Sequence, residues 1–102
     1  MSAQIKFSDL INRKPLKVFM GESEVCIVRV DEEVFAVADT CSHSNASLSE
    51  GDVNEFKIEC WLHGAEFDLR TGAVVTPPAT QPLQKYEVLR DGDAITIMEP
   101  GR

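Results

Sequence analysis

Cys41-Ser42-His43 and Cys60-Trp61-Leu62-His63-Gly64 are the two stretches on which the reading of this chain turns. Each puts a thiol and an imidazole within one turn of chain. The sequence holds only two histidines and three cysteines, and both histidines and two of the cysteines fall in these stretches. Scarce ligand types paired this tightly, twice, point to one metal centre with two sulfurs and two nitrogens. Thiolate with imidazole suits zinc, and it also suits iron in an iron–sulfur cluster. Zinc modules usually group Cys with Cys and His with His. Here each half-site is mixed, Cys before His. Two parallel loops would then place both sulfurs on one metal and both nitrogens on the other. A [2Fe–2S] cluster with two Cys on one iron and two His on the other accommodates that order.

The wider pattern, C-x-H, sixteen residues, then C-x-x-H-G, resembles the Rieske [2Fe–2S] family. The surroundings are similar as well: Leu48-Ser49-Glu50-Gly51, Gly64-Ala65-Glu66-Phe67-Asp68 and Arg70-Thr71-Gly72. Pro77-Pro78-Ala79 with Pro82-Leu83 looks like the family's proline loop, which covers the cluster. The resemblance covers nearly the whole chain. It implies one [2Fe–2S] cluster held by Cys41, His43, Cys60 and His63. It also implies an all-β fold: a Rieske-type antiparallel β-sandwich or small barrel base with an inserted cluster-binding subdomain.

By size the chain is similar to the soluble Rieske ferredoxins of aromatic-ring-hydroxylating dioxygenases. The function this implies is one-electron transfer from a flavoprotein reductase to a terminal oxygenase, so the chain is expected to be a carrier and not an enzyme. The family exposes the outer imidazole edges of its ligands, which puts partner docking near His43 and His63. A second reading keeps electron transfer but changes the partner, to nitrite reductase or iron–sulfur cluster assembly. A third, from another class, is a zinc-stabilised binding module that carries no electrons.

A chain of 102 residues suggests one domain, residues 1–102, able to bury a modest core without disulfide staples. The formal charge of −7 and the pI near 4.7 argue against nucleic acid as a partner. An acidic surface favours docking on a basic patch; it also simply keeps a small protein soluble. Met1 to Lys6 lacks the apolar region of a signal peptide, and no run of about 18 apolar residues exists to span a membrane. A cytoplasmic carrier, with no membrane partner, is the expectation. With two cysteines committed to metal, no pair remains for a structural disulfide.

Along the chain, Ile5–Phe7 reads as a first strand, and Ser8–Ile11 as one helical turn capped by Ser8 or Asp9. Leu16–Met20 is a second strand. Val25–Val30 and Val34–Ala38, joined by Asp31-Glu32, form a hairpin whose weak polar alternation predicts burial on both faces. Cys26 shares a face with Val28 and Val30 and reads as a small buried hydrophobe. An insert from about 39 to 79 carries the chemistry. Within it, Phe56–Glu59 and Glu66–Leu69 flank the second ligand loop, which sits at a hairpin tip. Tyr86–Leu89, a tight turn at Asp91-Gly92, and Ala94–Met98 return to the base. Pro100-Gly101-Arg102 reads as a tail.

Oxidised, such a cluster with two thiolates is formally neutral, which raises its potential above that of four-thiolate clusters. In high-potential relatives, a Ser two residues after the second ligand His and a Tyr two further on donate hydrogen bonds to the cluster; those positions here are Ala65 and Phe67. The disulfide that ties the ligand loops in those relatives falls on Ala46 and Leu62 and is absent. The potential is therefore expected at the low end of the range, on the order of −150 mV. Gly64 is expected to let backbone N–H groups approach the cluster, while Gly51 and Gly72 read as plain turn residues. Trp61 stands where the family often has proline. It either packs over the insert or lies exposed beside the cluster as part of a docking face.

Overall fold

β-Branched and aromatic residues dominate the runs that become strands. The computed structural model describes residues 2–39, 47–61, 64–76 and 82–99. In chain order the strands are β1 (Ser2–Lys6), β2 (Leu16–Met20), β3 (Ser23–Val30), β4 (Glu33–Ala38), β5 (Asp52–Asn54), β6 (Lys57–Glu59), β7 (Glu66–Asp68), β8 (Val74–Thr76), β9 (Lys85–Asp91) and β10 (Ala94–Met98). The fold is all-β. One antiparallel sheet of six strands has the order β1-β10-β9-β4-β3-β2 and curls into a near-barrel base. A second sheet of four strands, β5-β6-β7-β8, is formed entirely by the chain between β4 and β9. No helix of the described residues is long and apolar enough to cross a membrane.

The β3–β4 hairpin joins the two halves. Cys26 pairs with Val37, and Val28 with Phe35, on one face. These side chains, with Val30, meet Ile58 and Phe67 of the second sheet and Leu69 just after it. Val25, Ile27 and Ala36 face the other way, onto Ile95, Ile97, Tyr86 and Met20 inside the base. Because both faces are covered, the sequence of these strands is nearly continuous apolar residues rather than alternating ones. Cys26 is wholly buried. Burial pushes its thiol pKa well above the ordinary range, and the negative charge of Asp39 adds to the shift.

The first strand and the turn after it differ from the sequence reading. β1 begins at Ser2, and the helical turn is a 3₁₀ turn at Phe7–Asp9. Neither Ser8 nor Asp9 caps it. Asp93 does so from the β9–β10 turn: its carboxylate accepts the Ser8 N–H at 2.8 Å and the Ser8 hydroxyl at 3.0 Å. The Phe7 N–H donates to the Asp93 carbonyl at 2.8 Å. That turn itself falls one residue later than expected, on Gly92 and Asp93, since Asp91 still pairs with Ala94. The strands β5 and β8 have only three residues each and are half-exposed, too short for a periodic signal.

Replacing Ile27 with alanine is expected to lower the unfolding free energy by about 2–5 kcal/mol in chemical denaturation. Leu89→Ala, at an exposed position of β9, should change it by less than about 0.5 kcal/mol. Cys26 should stay protonated and unmodified by iodoacetamide at pH 8 in the folded protein, then react on unfolding. Mass spectrometry of its peptide reads the difference.

Candidate metal centre

Cys60 follows β6 directly, at the tip of the β6–β7 hairpin. The ladder pairs Lys57 with Asp68, Ile58 with Phe67 and Glu59 with Glu66, so the chain must reverse within residues 60–65. The Cys60 N–H donates to the Ala65 carbonyl at 2.7 Å, and the Gly64 N–H to the Cys60 carbonyl at 2.9 Å. Gly64 takes φ +76°, a conformation that a Cβ disfavours. The Cys60 side chain is wholly buried among Leu48, Ile58, Ala65, Phe67, Leu69 and Leu83. It is a free thiol, as a metal ligand requires. Its neighbour Trp61 is 54% exposed, which favours the exposed alternative over packing across the insert.

Cys41, His43 and His63 lie outside the described residues, as do Ala46, Leu62 and Pro77-Pro78-Ala79. The chain flanking each of these segments is described, and it converges. Leu48 follows the segment with Cys41 and His43, Cys60 and Ala65 bracket the one with His63, and Leu83 follows the proline segment. All four belong to one apolar cluster. Leu83 is held there by its N–H, which donates to the Gly72 carbonyl at 2.8 Å. The Ala38 N–H, at the end of β4, donates to the Gln84 carbonyl at 2.9 Å.

Gly51 is more than a turn residue. A Cβ placed there would lie 1.9 Å from the carbonyl oxygen of Glu59, the residue before Cys60. The chain leaving the first half-site is thus pressed against the strand entering the second, at a separation only glycine permits. Gly72 is also closer to its neighbours than a plain turn needs, with a Cβ position 2.5 Å from the Leu83 carbonyl oxygen. Ala65 and Phe67 are wholly buried and offer no side-chain donor.

Sequence reasoning did not single out Asp39. Its only signal is a carboxylate placed immediately after the apolar run of β4. The residue is 1% exposed. Its Oδ1 accepts the Ser49 N–H at 2.8 Å and its Oδ2 the Ser47 hydroxyl. Its carbonyl accepts the Leu48 N–H at 2.6 Å, and its own N–H donates to the Glu24 carbonyl at 3.0 Å. Lys17 Nζ lies 3.5 Å from Oδ2 and 3.1 Å from Glu24. The Glu24 carboxylate, with help from Asp39, holds the Lys17 ammonium above its ordinary pKa. A buried carboxylate with this many partners is satisfied in its hydrogen bonding.

Comparison with known proteins bears on what this arrangement holds. Residues 3–87 match the Rieske [2Fe-2S] domain family. The chain is 47% identical over 79 residues to the 3-phenylpropionate/cinnamic acid dioxygenase ferredoxin subunit of Photorhabdus laumondii, covering 74% of this chain and 75% of that protein. It is 37% identical over 89 residues to the ferredoxin component of biphenyl 2,3-dioxygenase from Rhodococcus jostii, covering 87% and 83%. Among solved structures, the ferredoxin of carbazole 1,9a-dioxygenase from Nocardioides aromaticivorans superposes with a TM-score of 0.91 at 33% identity, over 94% of each chain. A chain from the complex of reduced oxygenase and oxidized ferredoxin in carbazole 1,9a-dioxygenase gives a TM-score of 0.87 at 33% identity, over 97% of this chain and 96% of that one. A match spanning both sheets, together with the free buried thiol at the hairpin tip, leads to one conclusion: the chain belongs to the Rieske [2Fe–2S] domain family.

Proposed function

We propose that Cys41, His43, Cys60 and His63 together hold one [2Fe–2S] cluster, and that residues 1–102 form a single domain with its cluster-binding insert at about 39–79. The convergence of Leu48, Cys60, Ala65 and Leu83 on one apolar cluster supports this reading, because it gathers described residues that border the ligand-bearing segments. When bound, the cluster supplies reversible one-electron chemistry. The protein's part is to exclude water from the sulfur side, with Cys60 wholly buried, and to brace the loops against reorganisation.

The chain is the ferredoxin component of an aromatic-ring dioxygenase system, an electron carrier rather than an enzyme. Its acceptor is a terminal oxygenase and its donor a flavoprotein reductase, with both docking over His43 and His63 in the cytoplasm. The solved complex of oxygenase with ferredoxin among its relatives supports the first partner. Trp61, exposed next to Cys60, would flank that docking face and supply an aromatic anchor. Net charge of −7 speeds encounter with a basic surface at low salt. Ala65 and Phe67, apolar and buried, leave the cluster without side-chain donors there, which favours a low potential, on the order of −150 mV.

Anaerobically prepared protein should contain iron and acid-labile sulfide and, when reduced, give a rhombic EPR signal of average g below 2. A colourless protein binding one zinc would sink the reading. Cys60→Ala and His63→Ala should each abolish the signal. Gly51→Ala should cost about 1–3 kcal/mol of stability through overpacking against the Glu59 carbonyl, and lower the iron bound per chain. Denaturant titration and iron assay check the two effects.

A further inference from the structure

We propose that Asp39 is a positioning residue for the cluster: a buried carboxylate that joins the two ends of the segment carrying Cys41 and His43 and so sets where those ligands stand. The proposal rests on the cluster reading above. Carboxylates are almost never fully buried unless they are paired, and Asp39 is 1% exposed. Three of its hydrogen bonds serve one task. Oδ1 takes the Ser49 N–H, Oδ2 the Ser47 hydroxyl, and the main-chain carbonyl the Leu48 N–H. Residue 39 is therefore fastened to the chain eight to ten residues later, on the far side of Cys41 and His43.

The same contacts organise the 3₁₀ turn at Leu48–Glu50. Ser47 occupies its cap position, yet its hydroxyl caps no N–H of the turn; besides Asp39 it meets the Ser49 hydroxyl at 2.9 Å. Asp39 satisfies the turn's first two N–H groups instead, one with its carbonyl and one with its carboxylate. The turn then runs into Gly51, which lies against the Glu59 carbonyl, one residue before Cys60. Asp39 thus stands at the head of a short rigid path from one half-site to the other. Lys17, 3.5 Å away, balances its charge. The strand pairing of the base does not use the Asp39 side chain, so losing it should disturb the ligands more than the sheet.

The test compares native protein with Asp39→Asn, Asp39→Ala and Ser47→Ala, each reconstituted anaerobically. The readouts are cluster lifetime against a chelator, the g-values and linewidth of the reduced EPR signal, and far-ultraviolet circular dichroism. Asp39→Ala should lose its cluster about tenfold faster, because the Ser49 N–H is left without a partner, and should broaden the EPR signal. Asp39→Asn, which keeps one acceptor, should fall between, and Ser47→Ala should shorten the lifetime less. The β-sheet dichroism should stay native in all of them. An Asp39→Ala protein with native cluster lifetime and native EPR would overturn the proposal. If that variant does not fold, native lifetimes and spectra in both Asp39→Asn and Ser47→Ala would overturn it equally. Failure of the native protein to take up iron and sulfide would instead remove the cluster reading, and this proposal with it.

Discussion

Cys26, Val28 and Val30 lean on the second sheet, while Val25 and Ile27, at alternate positions of the same strand, fill the base. One hairpin is therefore the shared wall of two apolar cores. Each core is small, and neither sheet could cover its inner face without that wall. The arrangement also sets the orientation of the metal-binding region. The second sheet rests on side chains whose positions are fixed by strand register, and a slip of one residue would turn every one of them to the wrong face. Cys60 inherits its place from this wall through Ile58 and Phe67, which face Cys26 and its neighbours.

A carrier that exchanges electrons by outer-sphere transfer gains from stiffness around its redox site and from a controlled charge environment. The described structure supplies both. The hairpin tip is tied by two main-chain bonds, and the chain leaving the first half-site is tied to Asp39. Charge enters through the second sheet, where Asp52, Glu59 and Glu66 are direct neighbours across three strands. Like charges so placed weaken a sheet. The Thr76 hydroxyl relieves one of them by donating to Glu66 at 2.9 Å. Negative charge beside the site opposes the addition of an electron.

Much of this was legible in the residues. β2 and β10 coincide with their predicted runs, because alternating or β-branched segments bounded by glycine or acidic turns leave little choice. Burial of both faces of β3 and β4 followed from the absence of alternation. What escaped notice depends on partners distant in sequence. Asp93 capping the turn after β1 spans 85 residues, and no local pattern announces it. Asp39 looked like the first residue of a polar loop, since its role comes from serines eight and ten residues away. The closeness of Gly51 to Glu59 is a property of packing between elements, to which a motif is blind. The hairpin that carries Cys60 was legible because local pairing alone puts residue 60 at its tip.

The pairing of β1 with β10 has a consequence for how the molecule is made. Among the described residues, 2–6 find strand partners only at 94–98. On the ribosome β1 must therefore wait for β10 until almost the whole of the described chain has emerged. Pairings this remote in sequence slow folding, and an unpaired strand invites the wrong neighbour in the interval. The β3–β4 hairpin and the second sheet are built from local pairings and can form first. The hairpin that carries Cys60 can thus take shape on a nascent chain whose base is still unsealed.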